Sequence, residues 1–278
     1  MKSIRVISFL ALAVVTVTLF AAPLAAQKRA QGSQYKIFLP LLDTTGCETI
    51  AGETYSALTV NPPPTDRPAE QHADLNLALR GYVATTGTLG LVDYGGSADG
   101  KAPKLYSLFG DNRVPDLSSV AQVYAWDWAT NSRANPITDP PVTLAGMRVT
   151  PNEILRVPRS EYNIGTIPSI PPRGVFRDGP EDDGSKFEVL VLYASEQRIT
   201  LKYTREDNVV NGYTIHVENV CTAPELLSLY RDWNQSGRAQ LPALKQGQGF
   251  GRALGNEIGV VIRDNGSFMD PRSKKDWW

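Results

Sequence analysis

His72 and His216 are the only histidines in the chain, so a catalytic scheme that needs three imidazoles cannot be assembled from one copy. A Ser-His-Asp relay could draw on either of them, but no Gly-x-Ser-x-Gly elbow is present to expose a serine nucleophile. The densest carboxylate run, Glu181, Asp182 and Asp183, lies among prolines and glycines. A solvated face or a calcium-binding loop suits that setting better than an acid/base pair, and EF-hand spacing is missing. The GGSADGK stretch at 95–101 lacks the Gly-Lys-Ser/Thr ending of a phosphate-binding loop. Arg205, Glu206 and Asp207 read as solvated turn charges. The best non-catalytic signal is aromatic: Tyr124, Trp126 and Trp128 alternate, so in a strand all three project from one face. They are either core or, if exposed, a stacking platform for a sugar or peptide, and Tyr230 joins them as a candidate binding residue.

The elements that must carry these groups are short and mostly extended. FEVLVLYA at 187–194 predicts a buried strand, and RITLKYT at 198–204 with GYTIHVENV at 212–220 predicts a hairpin in which Thr214, His216 and Glu218 share a face. One helix follows, with Thr222 and Glu225 as a capping box, an apolar stripe at Leu226, Leu229, Tyr230 and Trp233, and Gly237 to end it. Upstream, from about 55 to 128, short apolar segments alternate with Gly, Pro and Asp clusters, the pattern of an all-β region. YKIFLPLL at 35–42 reads as a strand or tether, 163–185 as a long Pro/Gly-rich loop, and the glycines from Gly247 to Gly259 as tight turns and close packing. Trp277 and Trp278 either dock back onto the fold or form a sticky tail.

The 278 residues are 42% hydrophobic, with 28 basic and 29 acidic side chains. That near-neutral balance removes the electrostatic reason to expect nucleic-acid binding. Residues 1–26 show a signal-peptide pattern: Lys2 and Arg5, an apolar run from Val6 to Phe20, then small residues ending at Ala25 and Ala26. A membrane anchor is the competing reading. With the leader removed, the protein is expected outside the cytoplasm with no membrane span. Cys47 and Cys221 are the only cysteines; in an exported chain they form either one long-range disulfide, worth roughly 3 to 5 kcal/mol, or two thiols.

The tail, 241–272, resembles the closing section of the lysostaphin or LytM type (M23) zinc metallopeptidases. Lys245, Gly247, Gln248 and Gly251 match that family's turn, and Asn265, Gly266, Asp270 and Pro271 match its strand end. The resemblance covers about 187–272. It implies a barrel or sandwich built from β-hairpins, with a zinc held by two histidines and an aspartate. The matched histidine positions are substituted here: Glu257, Ile258 and Gly259 stand at the His-x-His pair, and Tyr230, Arg231 and Asp232 at the Tyr-x-His segment. Catalytic zinc needs three protein ligands and an open position, so the resemblance implies a fold more strongly than an activity.

The resulting expectation is a mostly β protein with one short helix, a β-rich region over 55–140 and an M23-like domain over 141–278, preceded by an N-terminal segment at 27–54. Its function is expected to be that of a non-catalytic binding or structural protein of the cell envelope, holding cell-wall glycan or peptide or an envelope protein, with no cofactor. The alternative is a zinc endopeptidase acting on peptidoglycan or protein through an unorthodox site at His216, Asp232 and Glu257.

Overall fold

The apolar runs of the second half of the chain become the middle of one large antiparallel sheet. The computed structural model describes residues 47–60, 66–100, 102–160 and 187–278. The expected leader, the 35–42 stretch, the 163–185 loop with its acidic run, and part of the proline cluster at 61–68 lie outside them. In chain order the strands are β1 (Ser56–Thr59), β2 (Tyr82–Ala84), β3 (Leu117–Asp127), β4 (Ser132–Pro136), β5 (Leu144–Arg148), β6 (Ile154–Arg156) and β7 (Val189–Ala194). They continue with β8 (Arg198–Lys202), β9 (Tyr213–Glu218), β10 (Val220–Thr222), β11 (Gln240–Leu244), β12 (Gly249–Ala253), β13 (Glu257–Asp264) and β14 (Ser267–Met269). The helices are α1 (Pro224–Gln235) and α2 (Lys274–Trp277).

The main sheet runs β1-β11-β7-β8-β9-β13-β5-β3-β2, with β14 added to β13 and β4 to β3; β10, β12 and β6 form a second, smaller sheet. The predicted buried strand is β7, with all six residues buried, and the predicted hairpin is β8 and β9, with Thr200 opposite His216. The sheet does not close into a barrel, because β1 pairs only with β11 and β2 only with β3. These open edges are four and three residues long, which limits the unpaired ladder presented to other chains.

A boundary at residue 140 falls inside this sheet. Strand β3 from one side of it pairs with β5 from the other, and β1 pairs with β11, so Thr45–Trp278 is one compact unit. Cys47 is bonded to Cys221 on β10, with their Cα atoms 5.4 Å apart.

Helix α1 packs on β11 and β7 and buries Leu226, Leu227 and Tyr230. Its predicted capping box does not form. Thr222 ends β10 and its hydroxyl donates to the Ser195 carbonyl at 2.7 Å, while Pro224 takes the first helical position with its dihedral preset. Gly237, at φ 90°, supplies the left-handed turn that ends the helix. The second helix, α2, was not expected. It docks the chain end: Trp277 is buried edge-on to Tyr213 at 5.8 Å, and its indole N–H donates to the Asp270 carbonyl at 2.8 Å.

Candidate functional site

The turn between β3 and β4 carries an aromatic platform. Asp127 shapes that turn by accepting hydrogen bonds from the Ala129 amide at 2.9 Å and the Thr130 hydroxyl at 2.8 Å. Trp128, just beyond β3, is 44% exposed. Its ring lies 6.4 Å from Trp126, edge-on, and 5.4 Å from His72, and the Arg67 guanidinium sits 5.3 Å from its centroid. Arg67 is in turn tied to the turn by a 3.3 Å bond to the Asn131 side chain. His72 accepts the Asp74 amide at Nδ1, 3.2 Å. Burial holds its pKa below the ordinary imidazole value against the opposing pull of Asp74, so at neutral pH it meets Trp128 as an uncharged ring.

The pairing of β3 with β4 shifts between Tyr124 and Trp126, with the extra residue on β4, so the alternation along β3 is kept. Arg133 lies opposite Trp126 and its guanidinium is 5.9 Å from the Tyr124 ring.

The second chemically dense region is buried. Thr200 and Lys202 on β8, Thr214 and His216 on β9, and Arg263 on β13 are cross-strand neighbours and so share a face of the sheet. The segment from Ala73 to Arg80 covers that face. Asp74 accepts from Arg263 Nη1 at 2.7 Å and also pairs with Arg80, while Phe268 lies 4.5 Å and 5.3 Å from the two guanidiniums. Burial alone would raise the Asp74 carboxyl, but Arg263 and Arg80 outweigh it and hold the group below the usual carboxylate range.

His216 is placed by chemistry that can be followed proton by proton. The Thr200 hydroxyl donates its only hydrogen to the Leu75 carbonyl at 2.7 Å, so at 2.9 Å it must accept from His216 Nδ1. That leaves Nε2 as a bare acceptor, and among the described residues neither it nor Thr214 Oγ1 has a partner. Burial and then Arg263 push this imidazole well below its ordinary value, with Arg80 and Lys202 adding to the effect.

His216, Asp232 and Glu257 are not brought together. Val261 faces His216, and Glu257 lies four residues back along β13, about 13 Å away at the rise of a strand. There its carboxylate accepts hydrogen bonds from Ser118 and, at 3.2 Å, from Ser119. Asp232 is exposed on α1, which packs on β11 and β7 on the far side of β8. Among the described residues no group of three or more His, Cys, Asp or Glu side chains is gathered as metal ligands would be.

Tyr230 is corrected as a binding residue. It is 1% exposed, packed edge-on against Tyr193 at 6.0 Å, and its hydroxyl accepts from Arg238 at 3.2 Å. The turn charges are corrected as well: Glu206 and Asp207 are buried. Asp207 makes a two-pronged pair with Arg238 at 2.6 Å on both prongs, and Glu206 accepts from Thr204 at 2.8 Å and Asn211 at 3.1 Å.

No family model, curated protein or solved structure matches the chain. Four of the tail residues that carry the M23 resemblance serve turn geometry. Gln248 accepts the Lys245 amide at 2.8 Å, Gly247 adopts φ 71°, and Asn265 and Gly266, at φ 46° and 82°, join β13 to β14. An Asn-Gly pair is favoured for a two-residue hairpin whatever the family. Sequence reasoning missed Arg67 and His72 as members of the platform. Both are far from Trp128 in the chain, and the sole local hint was a histidine and an arginine flanking the proline cluster.

Proposed function

We propose that the chain is an exported, non-catalytic binding protein of the cell envelope that holds glycan or peptide on the Trp128 platform. The observation that carries this reading is a large indole left 44% exposed while Trp126, His72 and Arg67 brace it. A ring stiffened in this way loses little freedom on binding, and its face suits the CH-rich side of a sugar or an apolar peptide side chain. The bond between Cys47 and Cys221 supports the compartment, because such bonds persist in oxidising surroundings outside the cytoplasm.

The test is binding of the purified protein to peptidoglycan and its soluble fragments, followed by tryptophan fluorescence. Trp128→Ala should fold normally and lose affinity by about tenfold or more, as expected for a central aromatic anchor. Equal binding by wild type and variant, or no binding to any wall fragment, refutes the platform. Metal-dependent cleavage of peptidoglycan or of a glycine-containing peptide refutes the non-catalytic assignment.

A further inference from the structure

We infer that a cavity of about 480 Å³, remote in sequence from the Trp128 platform, binds an oxyanion carried on a sugar-sized body. It lies between the 3-10 turn at Leu105–Phe109, the end of β6 and the turn joining β11 to β12. Arg156, Arg159, Asn112 and Gln246 bring its polar side chains, together with Ser107, and among the described residues no carboxylate lines it.

Arg156 is the principal contact. Its Nη1 donates to the Gly247 carbonyl at 3.2 Å and lies 3.8 Å from Glu53, whose Oε1 already accepts the Gly249 amide at 2.9 Å. Among the described residues Nε and Nη2 of Arg156 have no acceptor, which leaves one edge of the guanidinium fork available. Gly110 makes this placement workable: a Cβ there would come within 3.1 Å of Arg156 Cδ and Nε. Arg159 is oriented separately, with Nη2 donating to the Tyr106 hydroxyl at 2.9 Å and its backbone amide to Ser107 Oγ at 2.9 Å.

Three left-handed residues surround the cavity: Gly110 at φ 80°, Gly247 at φ 71° and Asn112 at φ 57°. The last is a conformation that costs a side-chain-bearing residue energy and concentrates at ligand sites. The open edge of the Arg156 guanidinium faces this concave surface, and its planar fork matches the paired oxygens of a carboxylate or phosphate. The neutral amides of Asn112 and Gln246 add donors without cancelling that charge. The volume exceeds what one small anion fills, which is why the anion is assigned a body.

By contrast, the cavity of about 420 Å³ beside α2 satisfies its own charges. Asp270 is held by Arg272 at 2.7 Å and Tyr94 at 2.6 Å, and Asp276 by Ser273 at 2.6 Å and Lys275 at 2.9 Å.

The experiment is calorimetric titration of the full, oxidised chain at low salt with glucose 6-phosphate, glucuronate and glucose. Binding of either anionic sugar, weakened by added salt and absent for glucose, supports the site. The tighter of the two tells whether phosphate or carboxylate is the preferred head group. Arg156→Gln should lower affinity by about tenfold or more, the loss expected from removing a charged hydrogen-bond donor. Gln246→Glu, at an exposed turn position, should weaken binding by placing a like charge in the cavity, and it decides the matter if Arg156→Gln does not fold. Equal binding of all three sugars, no binding of either anion, or an affinity untouched by the folded variants overturns the inference.

Discussion

Lys202 makes the pH dependence of stability a sharp test of the buried face between β8, β9 and β13. Its ammonium is buried and donates to the carbonyls of Asn211 and, at 3.5 Å, Gly212. Burial, opposed in part by Glu206 and reinforced by Arg263, pulls its pKa from 10.5 to about 7. Between those two values the unfolded chain binds one proton more than the folded one. Stability therefore rises with pH, by about 1.4 kcal/mol per unit. From about pH 7.5 to about pH 9.5 the unfolding free energy should grow by roughly 2 to 3 kcal/mol. Below about pH 7 both states hold the proton and this contribution is flat.

The window is clean. The bonded cysteines do not titrate, and the raised tyrosines Tyr55, Tyr82, Tyr94, Tyr193, Tyr203, Tyr213 and Tyr230 act mainly above their ordinary value of 10.0. Urea unfolding of the oxidised protein at constant ionic strength, in half-unit pH steps, measures the slope. Lys202→Met deprives two carbonyls of a donor and lowers stability at high pH by about 1 to 3 kcal/mol, yet its profile across the window should be level. A level profile in the wild type, or a slope that survives in the variant, refutes the reasoning.

Arg238→Leu leaves Asp207 charged in the interior and should cost about 3 to 5 kcal/mol in chemical denaturation, whereas a loss below about 1 kcal/mol would mean the pair is solvated. Replacing Cys47 and Cys221 together by serine opens a loop spanning 174 residues and should cost about 5 kcal/mol in the chain-entropy model; an unchanged denaturation midpoint would count against a bridge. His216 and His72 both titrate below the ordinary value of 6.5 in the folded state. In acid the unfolded chain takes up their protons first, so stability should fall as pH drops below about 6.5. His216→Asn should make that limb shallower, and an acid limb of unchanged steepness would show that His216 is not a buried neutral ring.

What could be read from the sequence was what is decided locally. β7 is a run of apolar residues with turn signals at both ends, β8 and β9 flank a polar connection, and α1 repeats its apolar positions at helical spacing; each signal fits within a dozen residues. The buried ion pairs were misread because Asp207 looks like a turn charge until Arg238, from beyond α1, is folded against it. Asp74 likewise acquires its meaning from Arg263. The aromatic stripe was legible as an alternation along β3, but its surroundings were not, since Arg67 and His72 reach Trp128 from far back in the chain. The continuity of the sheet across residue 140 was hidden for the same reason: the partners of β1 and β3 come from across it.

The placement of β1 sets an order of events for a chain made from its N-terminus. Leu58 faces Leu241, so β1, the first of the described strands to be synthesised, is among the last to find its place. Long-range pairing of this kind also slows folding, and Cys47 must wait equally long for Cys221. During that interval Leu58 and its neighbours lack the strand that covers them, which is when a chaperone has most to hold.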